Sequence, residues 1–115
     1  RLSEDKGKLL ENLVATELKR REKEIYYYSG KYECDFLLRE GNKITEIIQV
    51  SYELNENDRE REVKGMIEAL SKFNLKEGLI LTYDQEEQFK EEGKLIRVLP
   101  IWKWLLTSDS VSSLR

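Results

Sequence analysis

Two short runs constrain this chain more than anything else in it. In "KITEIIQVSY", residues 43–52, Ile47 and Ile48 are adjacent, so a strand built there is apolar on both faces. "GLILTY", residues 78–83, is a second apolar run bounded by polar segments. Strands of this kind are central, with a layer packed on each side of the sheet. Between them Asn55, Asn57 and Asp58 are helix-start residues, and Val63, Met66, Ile67 and Leu70 recur at helical spacing. A strand, a helix and a second strand close by a right-handed crossover, which sets the second strand parallel to the first.

The flanking segments fill in the rest. Residues 4–23 read as a helix with Ser3 as its cap, Glu4 and Asp5 in its first turn, and an apolar stripe of Leu9, Leu10, Leu13, Val14 and Leu18. Glu17 falls near the centre of that stripe, where a carboxylate is expected to pair with a cation. "EIYYYS", residues 24–29, is β-prone; Gly30-Lys31 and Gly41-Asn42 are turns, with a strand over residues 32–39 between them. Residues 86–99 form a hairpin turning at "EEGK", and Pro100 precedes a short helix, "IWKWLL". The expected fold is an α/β sandwich of order α-β-β-β-α-β with a mixed central sheet, then a C-terminal hairpin and short helix. It occupies residues 1–106, with a polar tail over 107–115. The length of 115 residues suits one domain, and no internal repeat is present.

Composition narrows the chemistry. There is no His, so acid–base work would fall to carboxylates, amides, hydroxyls or lysines. The one cysteine, Cys34, allows no internal disulfide and points to a reducing, cytoplasmic setting. A net charge of -3 and a pI near 5.2 lack the basic footprint of a duplex-DNA binder. No apolar run approaches the ~18 residues of a membrane span. No phosphate loop of the form GxxxxGK[ST] occurs, so this chain has no nucleotide site of that type. It begins at Arg1 without a Met, as expected of a piece of a longer protein.

The polar groups of the hairpin "CDFLLREGNKITEIIQVS" stand out against its apolar background. Strand alternation puts Glu33, Asp35, Leu37 and Arg39 on one face, and Ile47, Gln49 and Ser51 on one face of the next strand. In simple register Asp35 lies across from the Gln49–Ser51 end, with Glu11 on the margin of the first helix. Convergence of Glu11, Asp35 and Gln49 would suit a hard divalent cation such as Mg²⁺. Polar residues at strand ends near solvent are the plain alternative.

"KGKLLENLVATEL", "YECDFLLREGNKITEIIQVSYEL" and the ending "VLPIWKWLL" together resemble the C-terminal domain of a family of archaeal and bacterial AAA-type ATPases. That domain is a relative of the PD-(D/E)xK, restriction-endonuclease-like nucleases, and the similarity runs from about Lys6 to Leu106. The resemblance implies an ATPase domain upstream, outside this chain, as its partner. It also implies a site in which Glu11 matches the helical Glu and Asp35 the Asp, while Gln49 and Ser51 stand where Glu and Lys belong. Gln49 brings a carbonyl oxygen but no charge, so a Mg²⁺ held by Glu11, Asp35 and Gln49 would be weak. Ser51 cannot supply the lost ammonium, and one missing preorganised donor costs roughly 10²- to 10³-fold in rate. Lys64 is the one candidate for a migrated lysine. The expected function is a catalytically degenerate, nuclease-like accessory domain that binds nucleic acid or protein. An active Mg²⁺-dependent nuclease using Asp35, Gln49 and Ser51 is the first alternative, and a pure protein-interaction module is the second. A homo-oligomer is compatible with all three.

Other features have ordinary readings. "REREVK", residues 59–64, is an ion-paired helix face. Tyr26, Tyr27, Tyr28 and Tyr32 pack at a half-buried edge rather than stacking on bases. Trp102 and Trp104 close the core, and Cys34 is a buried thiol facing away from Asp35.

Overall fold

The structure, a computed structural model, describes residues 2–29 and 33–107, with side chains for all of these except 2, 3, 29 and 33–35. Its elements in chain order are α1 (Leu2–Arg20), β1 (Glu24–Ser29), β2 (Glu33–Glu40), β3 (Lys43–Val50), α2 (Glu56–Lys72), β4 (Glu77–Thr82), β5 (Glu87–Glu91), β6 (Lys94–Pro100) and α3 (Ile101–Leu105). The strands form one mixed six-stranded sheet of order β1-β2-β3-β4-β6-β5. β1, β2 and β3 are antiparallel neighbours; β3, β4 and β6 run parallel; β5 returns antiparallel on β6.

The two apolar runs are the centre of this sheet, as their both-faced patterning requires. Ile47 and Ile80 join Leu37, Ile96 and Val98 on one face, where α2 packs Val63, Met66, Ile67 and Leu70. Ile48, Val50 and Leu81 join Phe36, Leu38 and Leu99 on the other, under Val14 and Leu18 of α1 and Ile101 and Trp104 of α3. Each such side chain stabilises the fold by about 1.5–3 kcal/mol on burial. α2 begins at Asn55, whose side chain accepts from the Asp58 N–H at 2.9 Å, satisfying one of the helix's orphan donors. α2 crosses β4 closely at Gly78, where an added Cβ would collide with the Met66 sulfur. The β5–β6 turn puts Glu92 and Gly93 at positive φ, 52° and 78°, the backbone pattern whose twist matches a two-residue hairpin.

Several boundaries differ from the sequence reading. α1 already includes Ser3, which is therefore not its cap, and it ends at Arg20, where Glu22 at φ 59° turns the chain. β3 stops at Val50 rather than residue 52, so Ser51 lies just beyond the strand. Of the two tryptophans only Trp104 is buried; Trp102 is largely exposed. Tyr28 packs edge-on against Phe73, but Tyr27 is 70% exposed. Tyr32, the Gly30-Lys31 turn, the tail beyond Thr107 and the side chain of Cys34 lie outside the described residues.

Candidate functional site

The sheet presents Gln49 on the α2 side, because β3 alternates and its neighbours Ile48 and Val50 face α1. Gln49 is 8% exposed. A buried amide needs a partner, and α2 supplies one: the Gln49 Nε2 donates to the Glu62 Oε1 at 2.6 Å. Glu62 is itself nearly buried, its side chain 11% exposed. Burial is the main cause that pushes its pKa above the usual carboxylate value. The Gln49 hydrogen bond and Arg61, 3.5 Å away, oppose that shift; Asp58 and, least, Glu11 add to it.

Glu11 lies on α1, which packs on the opposite face of the sheet from Gln49. It is half-buried and within electrostatic reach of Glu62. Asp35 sits at an irregularity in β2. Tyr26 pairs with Leu37 and Tyr28 with Cys34, so Asp35 and Phe36 together oppose Tyr27, a β-bulge that interrupts strict alternation there. The last β2–β3 pair is Phe36 with Ile48, so Asp35 precedes and Gln49 follows the paired residues. The Asp35 side chain lies outside the described atoms. Ser51 ties this strand end down: its N–H donates to the Leu81 carbonyl at 2.9 Å and its hydroxyl to the Glu53 carbonyl at 3.2 Å. Lys64 is half-exposed and pairs with Glu60 at 3.1 Å, one helical turn back. The structure thus joins Gln49 to Glu62, a residue the sequence reading had placed on a solvated face. Its spacing carried the signal, since Glu62 precedes buried Met66 by one turn and adjoins buried Val63.

Among the described residues no group of three or more His, Cys, Asp or Glu is placed to hold a metal ion. Of the three groups expected to hold Mg²⁺, the Gln49 amide faces Glu62 and Glu11 lies on the other side of the sheet, so the described side chains supply no converged oxygen set for that ion.

Several other charged groups make internal contacts. Glu17 accepts from Arg20 at 2.7 and 3.0 Å and from Arg21 at 2.8 Å, and these bonds lower its pKa to about 2. Arg21, buried, lies over the Trp104 ring at 4.6 Å and donates to the Trp104 and Thr107 carbonyls, pinning α3 to α1. On the "REREVK" face Arg59 holds Glu87 in a bidentate pair at 2.8 Å, and Arg61 lies 3.9 Å from Asp58. At the end of β3, Tyr52 stacks on Tyr83 at 5.2 Å between ring centroids, with the Lys6 ammonium 5.1 Å from the Tyr52 ring.

Residues 6–104 match the family described as "Domain of unknown function (DUF4143)". The chain belongs to that family. The DUF4143 chain is also 44% identical to the "Uncharacterized protein MJ1544" of Methanocaldococcus jannaschii. That alignment takes in 91% of this chain and 26% of the archaeal protein, so the DUF4143 region spans about a quarter of its relative's length. No solved structure matches it. Among the described residues no helix of the DUF4143 fold is long and apolar enough to cross a membrane.

Proposed function

We propose that this DUF4143 domain is a restriction-endonuclease-like scaffold that no longer hydrolyses phosphodiesters and serves a larger ATPase as a binding module. The observation that carries this reading is the Gln49–Glu62 hydrogen bond of 2.6 Å. At the strand position where the nuclease pattern has a metal-binding carboxylate, a neutral amide is satisfied internally by a neighbouring acid. Ser51 stands in the lysine position with its hydroxyl turned to a backbone carbonyl, and Lys64 is engaged on the surface by Glu60. With neither a second anionic ligand on β3 nor an ammonium beside it, nothing in the described set activates a water or offsets charge on a scissile phosphate.

The order α1-β1-β2-β3-α2-β4 with a parallel β3–β4 crossover supports the scaffold assignment. The ATPase setting rests on the quoted sequence resemblance, and the archaeal relative's greater length leaves room for such a domain. A protein partner is favoured over nucleic acid because the net charge is -3 and several described surface cations are engaged by carboxylates: Arg39 by Glu24, Arg59 by Glu87, Lys103 by Glu86. In that setting the domain would be cytoplasmic.

The test incubates the chain with labelled single- and double-stranded DNA and RNA in Mg²⁺ or Mn²⁺. No cleavage is expected. Cleavage that disappears in Asp35→Ala would overturn the reading and favour an active nuclease. That second reading has one observation behind it: Glu62 adds a carboxylate beside Gln49 and within reach of Glu11, and could stand in for the missing acid of the strand.

A further inference from the structure

Among the described residues the sheet has two uncovered edge strands, β1 and β5, and their sequences differ. β5 reads "EQFKE", with Glu87, Lys90 and Glu91 along it. Charges of this kind discourage a sheet edge from pairing with another chain. Two copies of β5 aligned antiparallel about Phe89 would also set Glu87 against Glu91 at both ends, like charges directly opposite. β1 reads "EIYYYS" and carries neither Lys nor Pro. Its single charge, Glu24, sits at one end and is already engaged by Arg39 at 2.7 Å and the Tyr26 hydroxyl at 2.8 Å. Tyr26 and Tyr27 are 40% and 70% exposed on this edge. The irregularity opposite Tyr27 lies in β2, so β1 itself gains no extra residue and keeps a regular outer row.

We propose that the β1 edge is an interface between two copies of this chain, β1 pairing antiparallel with its counterpart across a two-fold axis at Tyr27. This goes beyond the accessory-domain reading and does not depend on it. An isologous pairing of this kind makes each surface its own complement. It sets Tyr27 opposite the second copy's Tyr27, Tyr26 opposite Tyr28 and Ile25 opposite Ser29, each pair on one face of the joined sheet. Aromatic side chains therefore meet at the centre, and no like charges face one another. The two sheets become continuous, and neither β1 is left as an open edge.

Sedimentation equilibrium of the whole chain over about 1–200 μM spans the micromolar dissociation constants at issue. A dimer is expected. Tyr27→Lys, which places an ammonium at the axis, is expected to weaken it by roughly tenfold or more, whereas Gln88→Lys on β5 leaves it intact. Should Tyr27→Lys fail to fold, hydrogen exchange on the unaltered chain carries the test: β1 amides must exchange more slowly at high protein concentration than at low. A monomer throughout the range overturns the proposal. So does a dimer that Tyr27→Lys leaves unchanged, or β1 exchange that is independent of concentration.

Discussion

Gln49→Glu tests the contact on which the site reading turns. The change replaces an amide that donates to Glu62 at 2.6 Å with a second carboxylate of the same shape. Two ionised carboxylates relaxed to about 4 Å repel by about 4 kcal/mol at an effective dielectric of about 20. Protonating one of them removes that repulsion, as in other carboxyl pairs that share a proton. The cost is therefore a high-pH cost. Thermal unfolding followed by circular dichroism at pH 8 is expected to show a melting temperature lower by roughly 15 °C, taking about 4 °C per kcal/mol for a domain of this size. Near pH 5 the loss should shrink to a few degrees, roughly the loss of one ordinary hydrogen bond. Repeating the pH 8 melt in Mg²⁺ asks whether Glu11 and Asp35 complete a cation site once the charge is restored. An ion at a hundred times its dissociation constant would return about 2.7 kcal/mol. A Gln49→Glu protein that melts like the unaltered one at both pH values would refute the Gln49–Glu62 contact and the reading built on it.

Other expectations follow from the same contacts. Glu62 has a raised pKa in the folded chain, so its contribution is fully present below the ordinary value of 4.5 and is lost as pH rises through the raised one; Glu62→Gln should flatten that part of a urea-stability profile and should not destabilise the chain at pH 8. Glu17 has the opposite sign: with a folded pKa of about 2 against 4.5, its stability is present above pH 4.5 and lost as pH falls toward 2, a loss that acid titration should find missing in Glu17→Gln. Arg21→Ala removes a buried cation from Glu17, the Trp104 ring and two carbonyls, and should cost about 3 kcal/mol in urea unfolding. Gly78→Ala should cost about 1–3 kcal/mol by overpacking against Met66, and in a double-mutant cycle Met66→Ala should relieve part of it.

Much of the fold is legible because its signals are local. The helical spacing of Val63, Met66, Ile67 and Leu70, the Asn55 cap and the both-faced run around Ile47 and Ile48 each act within a few residues, and each formed the element it implied. Glu17 likewise announced a cation partner, and Arg20 and Arg21 supply it. The site was less legible. Glu62 lay in plain helical register with Met66, but the charges around it made the segment look solvated, and only its packing against β3 shows that one of those acids turns inward. The bulge at Asp35 and Phe36 had no composition cue, since it arises from how β1 and β2 pair rather than from a residue that demands it.

By itself the sequence determined which segments are helices and strands, that β3 and β4 are central and parallel, and that neither His chemistry nor an internal disulfide is available in this chain. Side-chain periodicity and backbone propensity are properties of short windows, and those windows were unambiguous here. Tertiary structure alone decided that α1 and α2 lie on opposite faces, that Gln49 meets Glu62, and that the tyrosine-rich β1 is the outermost strand of the described sheet. These depend on the order in which strands join the sheet and on which acid the crossover helix turns inward, and both are set by burying the two apolar faces together rather than by any segment alone.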